Sequence, residues 1–530
     1  MTDSKFSYKV NGQDVNLDVD HDHIALQFDE PSPKSFRSAF VNENKHLGEF
    51  ANRLEIPGEK FTVFKIAEVQ KERTQRFKTT IDSLNSSSAV KKAMPVFKSG
   101  NKKVIATDKI LVGFKKNSGK QVDAIIKKFN CTKVKDSYDE FLLKIPDDGD
   151  LFEIVKTMEK ESVVTYVEPD FITVGSNSNR KVKSKLPNPL SEIDDSKDLS
   201  EYQYAIKITK AEEAWKLQKG NKNITIAILD EGVETTHPNL KDIITKSFDA
   251  TDNDTFQEPN DWDGHGTACC GLAAAEHKSF GVKGLSAGCS VFAVRLAYSS
   301  VPDGDWVTSN SIIKDAVDWS WENGADVLSN SWGGGAPSNA ISAAFERART
   351  LGRNKKGCVI VIAAGNEDAV VGYPGDLTEV LTVSASNEYD EPKTKFSKDG
   401  EYWWGSCFGP EVDVSAPGVH NLTTDISGSK GYNKDHNYTD FNGTSSATPI
   451  VSGIAGLMLS ANSNLTEMEV RNIIRNTADK VSNEPYHEGH NDRMGFGRIN
   501  ALNAINEVFR LKGQQSLKSK KLKKVTTTKK

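Results

Sequence analysis

Apolar and polar residues alternate at Phe6, Tyr8 and Val10 and again at Val15, Leu17 and Val19, on either side of the pair Asn11-Gly12. A period of two around two residues that tolerate positive φ predicts a hairpin. Ile24, Leu26 and Phe28 continue the alternation, Phe36, Phe40, Leu47, Phe50 and Leu54 fit a loose helical spacing, and Phe61 to Val69 reads as a strand. Residues 1–103 are therefore expected to form a small α+β module of unassigned role, with a loop at Ser83 to Ser88.

From Val104 the pattern sharpens. A strand at Ile110 to Phe114 precedes a helix with Val122, Ile125, Ile126 and Phe129, then two strands, through Tyr138 and at Phe141 to Leu143. A second helix with Leu151, Ile154, Val155 and Met158 leads into a strand from Val163 to Val174. Both helices repeat apolar residues at i, i+3, i+4 and i+7, which lays one face of each on a sheet. Strand, helix, strand, strand, helix, strand over 104–175 is the order of a ferredoxin-like plait, a fold shared by many unrelated functions. Ser176 to Ser200, rich in Ser, Asn, Pro and alternating charge and carrying Arg180, Lys181, Lys183 and Lys185, reads as an exposed linker open to proteolysis.

Beyond the linker, near-continuous apolar runs at Ile224 to Leu229, Val291 to Val294, Val327-Leu328 and Val359 to Ala363 predict parallel strands covered on both faces. Helices with end signals lie among them: Ile312 to Glu322 stops at Gly324, Ala340 to Leu351 stops at Gly352, and Thr466 with Glu469 makes a capping box. The alternation predicts a doubly wound, mainly parallel α/β domain over 201–511. Within it, Ile450, Val451, Ile454, Ala455, Leu457, Met458 and Leu459 make a helix greasy on nearly every side, with Pro449 expected in its first turn and Gly443 in a tight turn just before it. Ser445 is thereby placed at a helix N-terminus, where unpaired N–H groups favour developing negative charge, although capping alone would also account for Thr444 and Ser445. Residues 512–530, with Lys518, Lys520, Lys521, Lys523, Lys524, Lys529 and Lys530 and no acid, are expected as a disordered tail.

Composition narrows the function classes. With 68 basic and 73 acidic residues among 530, the net charge of −5 supplies no global field for nucleic acid. Met1 to Val19 lacks an apolar signal region and no run of eighteen apolar residues occurs, so neither a signal peptide nor a membrane span is expected. The six cysteines (Cys131, Cys269, Cys270, Cys289, Cys358 and Cys407) show no metal spacing, and adjacent Cys269 and Cys270 do not suggest a disulfide framework. A cytoplasmic protein is expected, with secretion by another route as the alternative.

Four polar residues carry the candidate chemistry. Asp230 ends the strand Ile224 to Leu229, His265 sits between glycines in Asp263-Gly264-His265-Gly266-Thr267, and Asn366 ends Val359 to Ala363 in Ala363-Ala364-Gly365-Asn366. Ligands of open α/β sheets gather at such carboxyl ends. With Ser445 the set supplies an acid, a base, an amide donor and a nucleophile.

These segments resemble the subtilisin family of serine proteases. The matching pieces are Asp230-Glu231-Gly232, His265-Gly266-Thr267, Ser331-Trp332-Gly333-Gly334, Ala363-Ala364-Gly365-Asn366, Val371-Gly372-Tyr373-Pro374-Gly375 and Gly443-Thr444-Ser445, in the family's order of Asp, His and Ser. The resemblance implies a serine endopeptidase with Asp230, His265 and Ser445 as catalytic residues and Asn366 in the oxyanion hole. It also implies Ser331, Trp332 and Gly333 as a substrate-pairing edge and Gly372 beside a roomy first specificity pocket, though Trp332 could equally be a core anchor. A large apolar residue before the scissile bond is expected, against which stand the acids Glu231, Glu367 and Asp368. The module 104–175 resembles the prodomains that precede such catalytic domains, most visibly at Tyr166-Val167-Glu168-Pro169-Asp170, so the chain's own prodomain is the expected intramolecular inhibitor, cut away within 176–200.

Departures also count. Where many subtilisins have a calcium-binding Asp, this chain has Asn239 in His237-Pro238-Asn239-Leu240, and a ligand position in the loop Glu276 to Val282 is Lys278. No cofactor is expected to be required and no metal ligand is assigned; calcium remains possible at the acids Asp249, Asp252, Asp254, Glu258, Asp261 and Asp263, whose alternative is a solvated loop. Cys269 resembles a free cysteine of some members and is expected as a small buried residue. The partners implied are protein or peptide substrates, with no nucleic acid and no membrane span. Two rival readings remain: an inactive homologue that binds proteins, and a cyclase or ligase of the same fold.

Overall fold

A computed structural model describes residues 6–28, 40, 44, 47, 54–56, 61–66, 73–99, 102–175, 194–302 and 304–527. The chain forms two compact units, one made of Met1–Asn177 with Ser299–Lys314 and Gly334–Ala343, the other of Ser178–Tyr298, Asp315–Gly333 and Ala344–Lys530. Much of the segment expected as a helix from Phe36 to Leu54, and 176–193 of the expected linker, lie outside the described residues.

In the second unit the apolar runs become a seven-stranded sheet. Its spatial order is Ile244–Asp249, Ser290–Arg295, Thr225–Asp230, Val327–Asn330, Val359–Ala363, Leu381–Ser386 and Val412–Pro417. The pairs are parallel throughout. From Thr225–Asp230 the chain passes to the edge strand Ile244–Asp249, returns to Ser290–Arg295, and then continues on the other side from Val327–Asn330, so the switch point lies between Thr225–Asp230 and Val327–Asn330, where this class of sheet opens a crevice. Asp230 ends one of these two strands and Ser331 follows the other.

The helix Thr444–Ala461 is buried along its length except at Ser460, and it packs on the sheet and on the helix His265–Ala274. It begins earlier than the sequence pattern implied. Gly443, at φ 108°, turns the chain into the helix directly, so Pro449 stands in the second turn instead of the first. The capping box of Thr466 and Glu469 is formed as expected. The helix Asn339–Lys355 loses helical geometry at Gly352, where ψ is 155°.

The first unit holds the plait. Val164–Gly175, Lys102–Phe114, Glu140–Lys144 and Thr132–Ser137 neighbour one another in that order, all antiparallel, with helices Gly119–Lys128 and Leu151–Met158 between them in sequence. This is the ferredoxin-like arrangement. Asp150 caps the second helix by accepting from the Phe152 N–H at 3.1 Å.

The boundary expected at residue 103 falls inside the strand Lys102–Phe114. Its first half pairs with Lys92–Ser99, which in turn pairs with Asp18–Gln27, so the N-terminal module and the plait share one sheet. Lys92–Ser99 carries Pro95, a residue that argues against a strand when only the sequence is read. Leu54–Ile56, expected at the end of a helix, is a strand paired with Phe61–Val63, and Ser83 belongs to the helix Arg73–Asn85 and not to a loop. The lysine-rich end is also a correction: the last helix runs Ala501–Thr527, past the point where a disordered tail was expected. Lys, Leu, Gln and Arg are strong helix formers, and no proline interrupts them.

Ile454, fully buried in the central helix, gives a direct check on this core. Its replacement by Ala should lower unfolding stability by about 2–5 kcal/mol in a denaturant titration of a Ser445→Ala background.

Candidate active site

The site is built from three segments that leave the sheet at its carboxyl edge and two helix N-termini, all within the second unit. Asp230 is the last residue of its strand, Asn366 follows Val359–Ala363, and Ser331 follows Val327–Asn330. His265 opens the helix His265–Ala274. Gly266 is required there, because a Cβ at this position would collide with the Gly232 carbonyl.

His265 and Asp230 are in direct contact. The imidazole Nδ1 lies 2.7 Å from Asp230 Oδ1, both groups are buried, and the ring stands edge-on to Phe441 at 5.2 Å. A neutral His265 therefore carries its proton on Nδ1 and presents Nε2 as the base. Burial disfavours the charged imidazole, but the Asp230 carboxylate outweighs it and raises the His265 pKa well above the ordinary histidine value. Cys269 also adjoins the ring, 3.8 Å from Nδ1. Its thiol is pushed up to about 11 by burial, and after Asp230 it is the second neighbour that raises the His265 pKa.

Ser445 is the second residue of its helix and is held by a reciprocal pair of bonds. Its hydroxyl donates to the Ser331 carbonyl at 3.0 Å, and the Ser331 hydroxyl donates to the Ser445 carbonyl at 3.0 Å. Proline makes the second bond necessary. A residue at 449 would normally donate its N–H to the carbonyl of Ser445, and Pro449 has none. The Ser331 hydroxyl and the Cys269 thiol, the latter at 3.5 Å, bond the Ser445 carbonyl instead. These roles of Ser331 and Cys269 were missed in the sequence; the spacing of four between Ser445 and Pro449 was the signal.

Asn366 is oriented by its neighbour. Its Oδ1 accepts from the Thr444 N–H at 2.8 Å and from the Thr444 hydroxyl at 3.0 Å, which fixes the carboxamide because a backbone N–H can only donate. Nδ2 is left as the end beside Gly443. The carboxamide thus presents a donor close to the start of the Ser445 helix.

The substrate-side residues divide. A side chain on Gly333 would come within 4 Å of Tyr373, Pro374 and Ala363, so the edge segment and the Gly372 segment are neighbours, and a Cβ on Gly372 itself would meet open space. Trp332 donates its indole N–H to the Leu229 carbonyl at 3.0 Å and stacks on Phe345, as a core anchor does. Of the nearby acids, Asp368 is paired with Arg493 at 3.0 Å, and Glu367 accepts from the Asn366 N–H at 2.7 Å.

Three places carry side chains of the types that ligate metals. Among the described residues, the three ligand-type side chains whose atoms lie within 4.8 Å of one another are Asp230, His265 and Cys269; there the first two bind each other and the thiol is protonated. The region of Asn239 and Lys278 does not fit a cation. The Lys278 ammonium lies 2.7 Å from the Pro238 carbonyl, 3.0 Å from Asp242 and 2.8 Å from Glu276. Asn239 Oδ1 accepts from the Tyr438 hydroxyl at 2.6 Å while its Nδ2 faces the carbonyls of Glu276 and Phe280. In the acidic loop, Asp249 is taken by Arg295 at 3.2 Å and by Thr251.

Residues 221–497 match the subtilase family and residues 89–170 match the fervidolysin N-terminal prodomain. The thermophilic serine proteinase of Bacillus sp. strain AK1 is 31% identical over 72% of this chain and 79% of its own length. Thermitase of Thermoactinomyces vulgaris is 32% identical over 58% of this chain and 96% of its own. A calcium-dependent protease of Nostoc sp. is 35% identical over 56% of this chain, which spans 47% of that relative. The solved structure of fervidolysin from Fervidobacterium pennivorans superposes with a TM-score of 0.59 at 22% identity, covering 75% of this chain and 61% of that one, and shares the fold.

The His265 titration can be read directly. In a Ser445→Ala chain, its ring resonances should titrate above 6.5 by NMR and move down when Asp230 becomes Asn. The sign follows from the carboxylate favouring imidazolium: that stabilisation is complete below the ordinary histidine range and is lost as pH rises through the raised pKa.

Proposed function

The chain belongs to the subtilase family and carries a subtilisin-type prodomain, and from that premise we propose that it is a serine endopeptidase made as a self-processing zymogen. The observation that carries this reading is the 2.7 Å contact of His265 Nδ1 with Asp230, together with Ser445 at a buried helix N-terminus.

The geometry allows a complete acyl transfer. Ser445 Oγ turns from the Ser331 carbonyl to His265 Nε2, loses its proton to that nitrogen and adds to the scissile carbonyl carbon. Negative charge then develops on the carbonyl oxygen, where Asn366 Nδ2 and the Ser445 N–H are the donors. The imidazolium, stabilised by Asp230, returns its proton to the leaving amine as the peptide C–N bond breaks. Water repeats the sequence on the ester and frees Ser445.

Peptides are taken as an added strand along Ser331 to Gly333, which reads main chain more than side chains. The open space at Gly372 suits a large apolar residue before the scissile bond. Asp368, neutralised by Arg493, gives little reason to prefer a basic one. The six cysteines are unpaired, which suits a reducing, cytoplasmic setting. No described helix is long and apolar enough to cross a membrane.

We further propose that calcium has no role at the Asn239 loop, whatever sites exist elsewhere, because Lys278 and the Asn239 amide already supply its positive charge and donors. Amide hydrogen exchange over 276–283 should be the same in EGTA and in calcium. Lys278→Ala should speed it in both, whereas calcium-induced protection of the wild-type loop would contradict the proposal.

Intact mass tests the enzyme itself. Wild type should be cut within 176–200, and Ser445→Ala should stay whole. Asn366→Ala should lower kcat by roughly 10²–10³ with little change in KM, a magnitude taken from the subtilisin oxyanion hole. A raised KM with unchanged kcat would remove Asn366 from that role.

A further inference from the structure

The first unit contains a contact that neither the family match at 89–170 nor the plait accounts for. The hairpin of strands Ser7–Val10 and Gln13–Asn16 turns at Asn11-Gly12, both at positive φ. Phe6 packs edge-on against Phe97 and Phe152, Tyr8 lies 5.3 Å from Phe171, and Lys9 pairs with Glu159 at 3.0 Å, which fixes the hairpin to the plait. Tyr8, Leu17, Phe97 and Phe171 share one buried cluster with Ala336.

The polar contacts beside Ala336 are specific. The Tyr8 hydroxyl donates to the Pro337 carbonyl at 2.6 Å. Asn339 Oδ1 accepts from the Asn11 N–H at 2.9 Å, and Asn339 Nδ2 donates to the Lys9 carbonyl at 2.8 Å and to Glu168 Oε2 at 2.8 Å. Along a strand, the carbonyl of one residue and the N–H two residues on point to the same edge. Lys9 and Asn11 offer that pair on the edge that Gln13–Asn16 leaves uncovered. A carboxamide is a peptide group in miniature, so Asn339 docks there as a single rung of a further strand. Aspartate, lacking the donor, would not serve.

We propose that the hairpin Ser7–Asn16 is a second docking element of the pro-region, which recognises the Ala336–Asn339 corner through the Asn339 carboxamide and prolongs latency after self-cleavage. This rests on the reading of the chain as a self-processing zymogen. Once the linker is cut, only non-covalent contacts retain the pro-region. In sequence, residues 336–339 follow Ser331 to Gly333 and two further glycines, so the corner that the hairpin holds is continuous in chain with the proposed substrate edge.

The test is the lag before full-length protein cleaves labelled casein, measured for wild type, Tyr8→Phe, Asn339→Ala, Glu168→Ala and the pair Asn339→Ala with Glu168→Ala. Asn339→Ala should shorten the lag about 5- to 30-fold, as expected for one or two kcal/mol, and should still shorten it in the Glu168→Ala background. Tyr8→Phe, which keeps every apolar contact, should shorten it roughly 2- to 10-fold, the worth of one hydrogen bond. In a Ser445→Ala chain, Asn339→Ala should also speed exchange at the Asn11 amide. A lag shortened by Glu168→Ala but by neither hairpin contact would overturn the docking role. A wild type with no lag at all would instead overturn the latency on which it rests.

Discussion

Burial of the helix Thr444–Ala461 is the constraint on which the rest of the second unit depends. A helix enclosed on nearly all sides must have every main-chain polar group bonded, because an orphan buried carbonyl costs about 1–3 kcal/mol. Pro449 breaks that rule at Ser445, and the repair comes from Ser331 and Cys269. One missing N–H thus couples the Ser445 main chain to the Ser331 segment and to the helix that begins at His265.

The acid and base obey a second constraint. His265 and Asp230 are both buried, where an unpaired carboxylate or imidazolium would be expensive, so each is tolerable only because of the other. Ser445, by contrast, is not committed to the base: its hydroxyl rests on the Ser331 carbonyl. The Asp230–His265 pair is thus already joined while the Ser445 hydroxyl is bonded elsewhere, and catalytic hydrogen bonds often close only around substrate.

Much of this was legible in the chain. Uninterrupted apolar runs marked the parallel strands because both faces of such a sheet are covered, and the motifs around Asp230, His265, Asn366 and Ser445 marked the crevice because each ends or begins an element there. What escaped reading depends on contacts remote in sequence. Pro95 disguised a strand whose partners are Asp18–Gln27 and Lys102–Phe114. The Asn239 loop looked merely like a lost calcium site, yet Lys278 reaches three oxygen atoms from a position where spacing shows only a basic residue. Glu168, apolar-flanked and unremarked for charge, is buried with its pKa raised to about 7 because burial outweighs the hydroxyl and N–H groups of 338–340 that it accepts from.

The central claim is that Ser445 is a nucleophile activated by the His265–Asp230 pair, and peptide mapping after reaction with a fluorophosphonate tests it most directly. The account predicts one adduct, on Ser445, in the self-processed protein, and its loss when His265 becomes Ala. An adduct on another residue, or none in protein that has processed itself, would contradict it.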